Sequence, residues 1–192
     1  MPLTLARAPA IEPVTLSEAK AHCRIDGAAD DAVLASLVTT SRLHIEAALG
    51  LALVTQGWRL VRDAWPARDG VRLPLRPVSA VTAVRVADDT GTFAIVDPTL
   101  WRLLRADDGE VQLLSAAAPW PQPGVASGGI EITFDAGFGD TAEAVPAPIR
   151  QALLMLIAHW YENREPARVG SARTRTPGAV SDLLAPYTRV RL

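Results

Sequence analysis

Lysine is almost missing from this 192-residue chain: Lys20 is the only one among 19 basic residues. That preference for arginine is what a GC-rich genome imposes, so it carries no functional argument. Cysteine is equally scarce. Cys23 stands alone, which excludes an internal disulfide and any Cys-rich zinc site. Long apolar runs are also lacking, since the uninterrupted stretch at 152–158 falls far short of the roughly 20 residues a bilayer span needs. The opening MPLTLARAPAIEP has no continuous apolar segment of the secretory kind, and a cytoplasmic origin is expected. The phosphate-binding patterns GxxxxGK[ST] and GxGxxG are absent, as are the nucleophile elbow GxSxG and the zinc motif HExxH. A formal charge of −2 argues against a general nucleic-acid coat. What remains is a chain of ordinary globular composition, 49% hydrophobic and 21% charged, long enough to bury one core.

The most telling segment is 145–166, VPAPIRQALLMLIAHWYENREP. Pro146 and Pro148 suit a first helical turn, which needs no amide partner, so a helix should begin near Pro148 and end between Asn163 and Pro166. Ile149, Leu153, Leu156 and Trp160 form one stripe at helical spacing. Ala152, Leu154, Met155, Ile157, Ala158 and Tyr161 spread apolar surface over the other sides. A helix apolar all round must be covered all round, by its own subunit or by a neighbour.

Upstream, Thr15 and Glu18 match a capping box, so a short helix should run over 16–24 and stop at Gly27. Asp30 or Asp31 should cap a longer helix with Leu34, Leu37, Val38, Ser41, Ile45, Ala48 and Leu49 on one side, closed by Gly50. From 55 to 134 the pattern changes to short alternating runs (WRLVR, VRLPL, VTAVRVA, TFAIV, WRLL, EVQLL, IEITF) separated by turn signals at ARDG, DDTG and DDG. The expected fold is therefore α+β: a small bundle of three to four helices carrying a β-rich insertion between the second and third main helices. As one domain over 1–192, it divides into N-terminal helices (14–50), the insertion (55–135), the apolar helix (146–165) and a flexible basic tail (166–192), with a short helix near 180–185. From 164 onward six arginines face only Glu165 and Asp182.

Candidate chemistry is thin. His22, Cys23 and Asp26 crowd together in sequence, but neighbours one apart on a helix point about 100° apart, which is wrong for a nucleophile and its base. His159 and Glu162 could share a metal on one helix face, yet a di-iron bundle needs further inward carboxylates, and the other helices offer only Glu18 and Glu46. Gly137 and Gly139 in AGFGD serve a turn from strand to helix. Trp58, Trp101 and Trp160 read as core, while Trp65 and Trp120 sit in Pro-containing loops open to a partner. A thiol or metal-dependent hydrolase using Cys23 or His159 is a rival reading; no cofactor or metal is expected.

PVTLSEAKAHCRIDGAADD, ALGLALVTQGWRL, LPLRPVSAVTAV, DAGFGD and VPAPIRQALLMLIAHWYENRE follow one another across roughly 13–165. In this order and wording the chain resembles the head–tail connector, or adaptor, proteins of long-tailed phages and gene transfer agents. It departs from many of them at Cys23, usually apolar there, and in its extension 1–10. The resemblance implies no enzyme but a virion component at the head–tail junction: a ring, twelve-fold by family habit, that joins the portal to a stopper or tail-completion protein and gives DNA a channel. A stopper or tail-terminator ring is the alternative. Expected partners are further copies of itself, the portal, the stopper and, transiently, DNA. Arg164, Arg168, Arg173, Arg175, Tyr187, Arg189 and Arg191 are the residues expected to dock on the portal. Leu153, Leu156, Ile157, Trp160 and Tyr161 are those expected to pack subunits together.

Overall fold

A computed structural model of the chain describes residues 2–66, 70–106, 109–116, 119–163 and 177–188. They form an α+β fold whose contacts separate into two compact units, one of residues 1–10 and 50–138, the other of 11–49 and 139–192.

The first unit is the β-rich one. Its strands are β1 (Leu3–Arg7), β2 (Gln56–Arg62), β3 (Val71–Arg72), β4 (Val78–Ala87), β5 (Phe93–Ile95), β6 (Trp101–Arg105), β7 (Val111–Ser115) and β8 (Ile130–Ala136). Five make an antiparallel sheet in the order β1-β2-β8-β4-β5, and three make a second in the order β3-β7-β6. All seven alternating runs of the insertion contain a strand. Strand β8 is central because its alternation is complete: Ile130, Ile132, Phe134 and Ala136 are buried, with Glu131, Thr133 and Asp135 between them on the other face. Phe134 lies opposite Trp58 of β2 and Val81 of β4. On the polar face Glu131 takes Arg59 at 3.6 Å and Arg85 at 4.0 Å, one from each neighbouring strand. The DDTG signal is an Asp-capped turn: the Asp88 carboxylate accepts the amides of Thr90 and Thr92 at 2.8 and 2.9 Å.

Strand β1 falls in the stretch read from sequence only as an N-terminal extension. Two alternating leucines between prolines are too short a pattern to announce a strand. It pairs with the edge of β2, and Arg7 meets Asp135 at 2.8 Å.

The second unit holds α1 (Leu16–Cys23), α2 (Asp31–Leu49), α3 (Ala147–Glu162) and α4 (Gly178–Leu184). The capping box of α1 is complete: the Thr15 hydroxyl accepts the Glu18 amide at 3.1 Å, and Glu18 accepts the Thr15 amide at 2.8 Å. Such a cap contributes about 1 kcal/mol. The left-handed residue that ends α1 is Arg24, at φ 55°, and not Gly27 as expected; its amide reaches back to the Ala21 and Lys20 carbonyls. Helix α3 starts after Pro146 and is capped at Asn163, inside the limits set by its prolines. Helices α1, α2 and α4 all pack against it.

Helix α2 corrects the expected stripe. Its buried residues are Leu34, Val38, Ser41, Arg42, Ile45, Glu46 and Leu49, whereas Ala48 is exposed and Leu37 only half-buried. Arg42 and Glu46 take inward places because a carboxylate from outside the helix meets them there. Arg42 grips Glu12 with two donors, Nε at 2.7 Å and Nη2 at 3.2 Å, and donates to Glu46 through Nη1 at 2.9 Å. Thr39 donates to the same Glu12 carboxylate at 3.0 Å. Burial alone would lower the pKa of Arg42, but the bonds and charges of Glu12 and Glu46 outweigh it, so the pKa is raised and the cation held. The guanidinium donates from all three of its nitrogens to the two carboxylates, the hydrogen-bonded pairing that burying such charges requires.

Candidate functional site

The enzyme-like clusters do not assemble. His22 is exposed and Cys23 half-buried; burial, reinforced by the negative charge of Glu162, pushes the Cys23 thiol up in pKa, away from the thiolate a nucleophile requires. Among the described residues no group of three or more His, Cys, Asp or Glu side chains could hold a metal ion. His159 is half-buried and Glu162 exposed; the Asn163 side chain caps the helix by donating to the His159 carbonyl at 2.7 Å. Trp58 and Trp101 pack on the β core. Trp65 and Trp120 stack on each other, with ring centroids 4.0 Å apart and planes at 10°, and the Trp65 indole donates to the Pro121 carbonyl at 2.8 Å. The two loop tryptophans thus satisfy each other.

The residues expected to pack subunits divide into two groups. Leu153, Leu156 and Ile157 are at most 1% exposed, so they belong to the core of their own chain and have no surface to give. Trp160 and Tyr161, on the next turn, are half-buried. Trp160 meets His44 of α2 edge-on, centroids 5.5 Å apart, and the Tyr161 hydroxyl donates to Asp30 at 2.8 Å. The apolar cylinder of the sequence is therefore largely covered from within, by α1, α2 and α4.

Of the residues expected to dock on the portal, Arg164, Arg168, Arg173, Arg175, Arg189 and Arg191 lie outside the described residues. Tyr187 is described, half-buried, in the single 3-10 turn Ala185–Tyr187 that continues α4. Val180 and Leu184 of α4 are buried, and the helix packs on α3. Part of the supposed flexible tail is thus integral to the helical unit.

Near the α1 cap, Arg150 of α3 donates to the Pro13 carbonyl at 3.1 Å and pairs with Glu18. Glu18 is held below the usual carboxylate range, chiefly by the Thr15 amide and then by the Thr15 hydroxyl and Arg150, against the opposing effect of burial. The geometry is that of a polar clamp joining α1 to α3. What the described residues offer is scaffold and surface.

The head completion protein family matches residues 12–172. The chain belongs to that family. Its members are structural components of phage-like particles, which removes the hydrolase reading. No curated protein matches the chain. Among solved structures, it is similar to a chain in the virion of a native gene transfer agent particle, at 30% identity and TM-score 0.85. It is also similar to one in the neck of an empty gene transfer agent particle computed with C6 symmetry, at 31% and 0.83. A third match is to a chain in the neck of the native particle computed with C12 symmetry, at 30% and 0.80. Each match covers 100% of this chain and 97% of the other. This head completion family member is a component of the head–tail junction of a phage-like particle. Residues 12–172 leave β1 outside the family match, whereas the whole-chain matches include it.

Proposed function

We propose that the chain is the head–tail adaptor of a phage or gene transfer particle, forming a ring of twelve copies between the portal and the stopper or tail-completion protein. The observation that carries this is end-to-end similarity to a chain from a neck with twelvefold symmetry. The physical chemistry of the subunit agrees. It has two compact units, no cluster able to hold a metal ion among the described residues, and a basic segment at its C-terminal end suited to bidentate pairing with carboxylates. The lumen of such a ring would pass DNA without gripping it, which a chain of net charge −2 permits.

Portal docking assigns the work to Arg164, Arg168, Arg173, Arg175, Arg189 and Arg191, together with Tyr187. Simple truncation at 167 would strip α4 from α3 and confuse docking with unfolding. Replacing the six arginines by glutamine keeps α4. This variant is expected to purify with an unchanged melting temperature and to fail to join portal-bearing heads in a complementation assay. Normal joining would sink the docking role of the arginines.

A further inference from the structure

Helix α2 is inside out with respect to charge. Nine of its residues are exposed: Ala32, Val33, Ala35, Ser36, Thr40, Leu43, His44, Ala47 and Ala48. None of them is Asp, Glu, Lys or Arg. The only such residues in the helix are Asp31 at its first position and the buried pair Arg42 and Glu46. A helix against water carries its charges outward and its apolar residues inward. Here Leu43 is 54% exposed and Val33 40%, while Arg42 is 6%. The β unit shows the ordinary pattern, with Arg59, Arg72 and Arg85 side chains about half or more exposed. An Arg42 and Glu46 pair at i,i+4 is equally compatible with a helix face turned to water, so the spacing alone does not require the inversion.

We propose that the outward face of α2, centred on Val33, Thr40, Leu43 and Ala47, is the contact that a second copy of this chain covers. The inference rests on the ring reading above. In a rotationally symmetric ring each subunit meets its own kind through two different faces, so each subunit has to hide one patch on either side. The patch fits that use. It runs about 20 Å along the helix axis at 1.5 Å per residue. Its alanines and serine let another element approach closely, and Val33 and Leu43 supply knobs at its two ends. His44 connects it to the half-buried Trp160 of α3, extending the apolar surface onto a second helix. Keeping Arg42 and Glu46 inside leaves no charge to be desolvated when the face closes, which is where interface cores differ from other surface.

The test uses the full chain in particles made by a strain lacking its own copy. Leu43→Lys and Leu43→Glu should each leave the melting temperature of the purified protein unchanged and lower the copies per neck at least about tenfold, the factor that 1.4 kcal/mol sets. Both signs should act alike, because either charge would be buried; Leu43→Met should assemble normally. A photo-crosslinker on Leu43→Cys, in a Cys23→Ser background, should join the chain to a second copy. The proposal is overturned if either charged variant fills the neck, if either lowers the melting temperature, which would place the cover within the same chain, or if the crosslink goes to another neck protein. Absence of the wild-type protein from necks would instead remove the ring reading beneath it.

Discussion

Arg42→Ala should lower the unfolding free energy of the protein by about 3 kcal/mol, the scale for removing one partner from a buried charge network. The substitution takes the guanidinium away from two carboxylates. Glu46 is buried and Glu12 mostly so, with side chains 9% and 29% exposed, and both direct oxygens at the guanidinium. Thr39 would remain on Glu12, but a hydroxyl cannot neutralise a charge. Arg42→Lys should recover only part of the loss, since a point ammonium cannot reproduce the two-donor grip on Glu12. Replacing the whole network, with Glu12→Gln, Arg42→Met and Glu46→Leu together, should restore most of the stability because no charge is left unpaired. Urea titration followed by far-ultraviolet circular dichroism measures each step. A loss below about 1 kcal/mol for Arg42→Ala would place the network in water, as for a surface pair.

The second large effect is expected at Gly137→Ala. This glycine of AGFGD sits at φ 146°, and a Cβ there would lie 2.4 Å from the Thr55 nitrogen, 2.5 Å from its Cα and 2.6 Å from the Val54 carbonyl carbon. All three are backbone atoms, so no side chain can swing away. The surrounding backbone is pinned as well: the Gly137 amide donates to the Pro77 carbonyl at 2.9 Å and the Phe138 amide to the Leu53 carbonyl at 3.1 Å. Strain plus overpacking should cost about 3 kcal/mol or more. In a chain of this size that corresponds to a fall of roughly 6–12 °C in melting temperature. Gly178→Ala makes the control, because a Cβ there meets nothing within 4 Å and the residue has no left-handed φ. A thermal melt showing Gly137→Ala no worse than Gly178→Ala would mean that this crossing is not as tight as the structure has it.

The parts of this fold that were legible from sequence share a local signal. The capping box at Thr15 and Glu18, the prolines that open α3, the Asp88 turn and the alternation of β8 are each decided by residues within a few positions of one another. What was illegible depends on partners far away in the chain. Arg42 and Glu46 lie off the apolar stripe of their helix, and Glu12, some 30 residues before Arg42, meets Arg42 on the inward side. Ala48 reads as core for the same reason in reverse. Strand β1 exists only because the edge of β2 accepts it. The apolar surface of α3 was legible, but its cover was not: sequence shows that Leu153, Leu156 and Ile157 must be buried and not by what. The surface of α2 carries the opposite lesson, since its lack of outward charge is visible in the residues once Arg42 and Glu46 are known to face in.

The central claim is a ring of this chain at the head–tail junction, and symmetric reconstruction of the neck from particles carrying the protein tests it most directly. The account predicts twelve copies around the channel axis, each touching the portal on one side, with α2 against the neighbouring copy. A neck in which the protein is absent would contradict it, as would one in which it forms a layer separated from the portal by another protein.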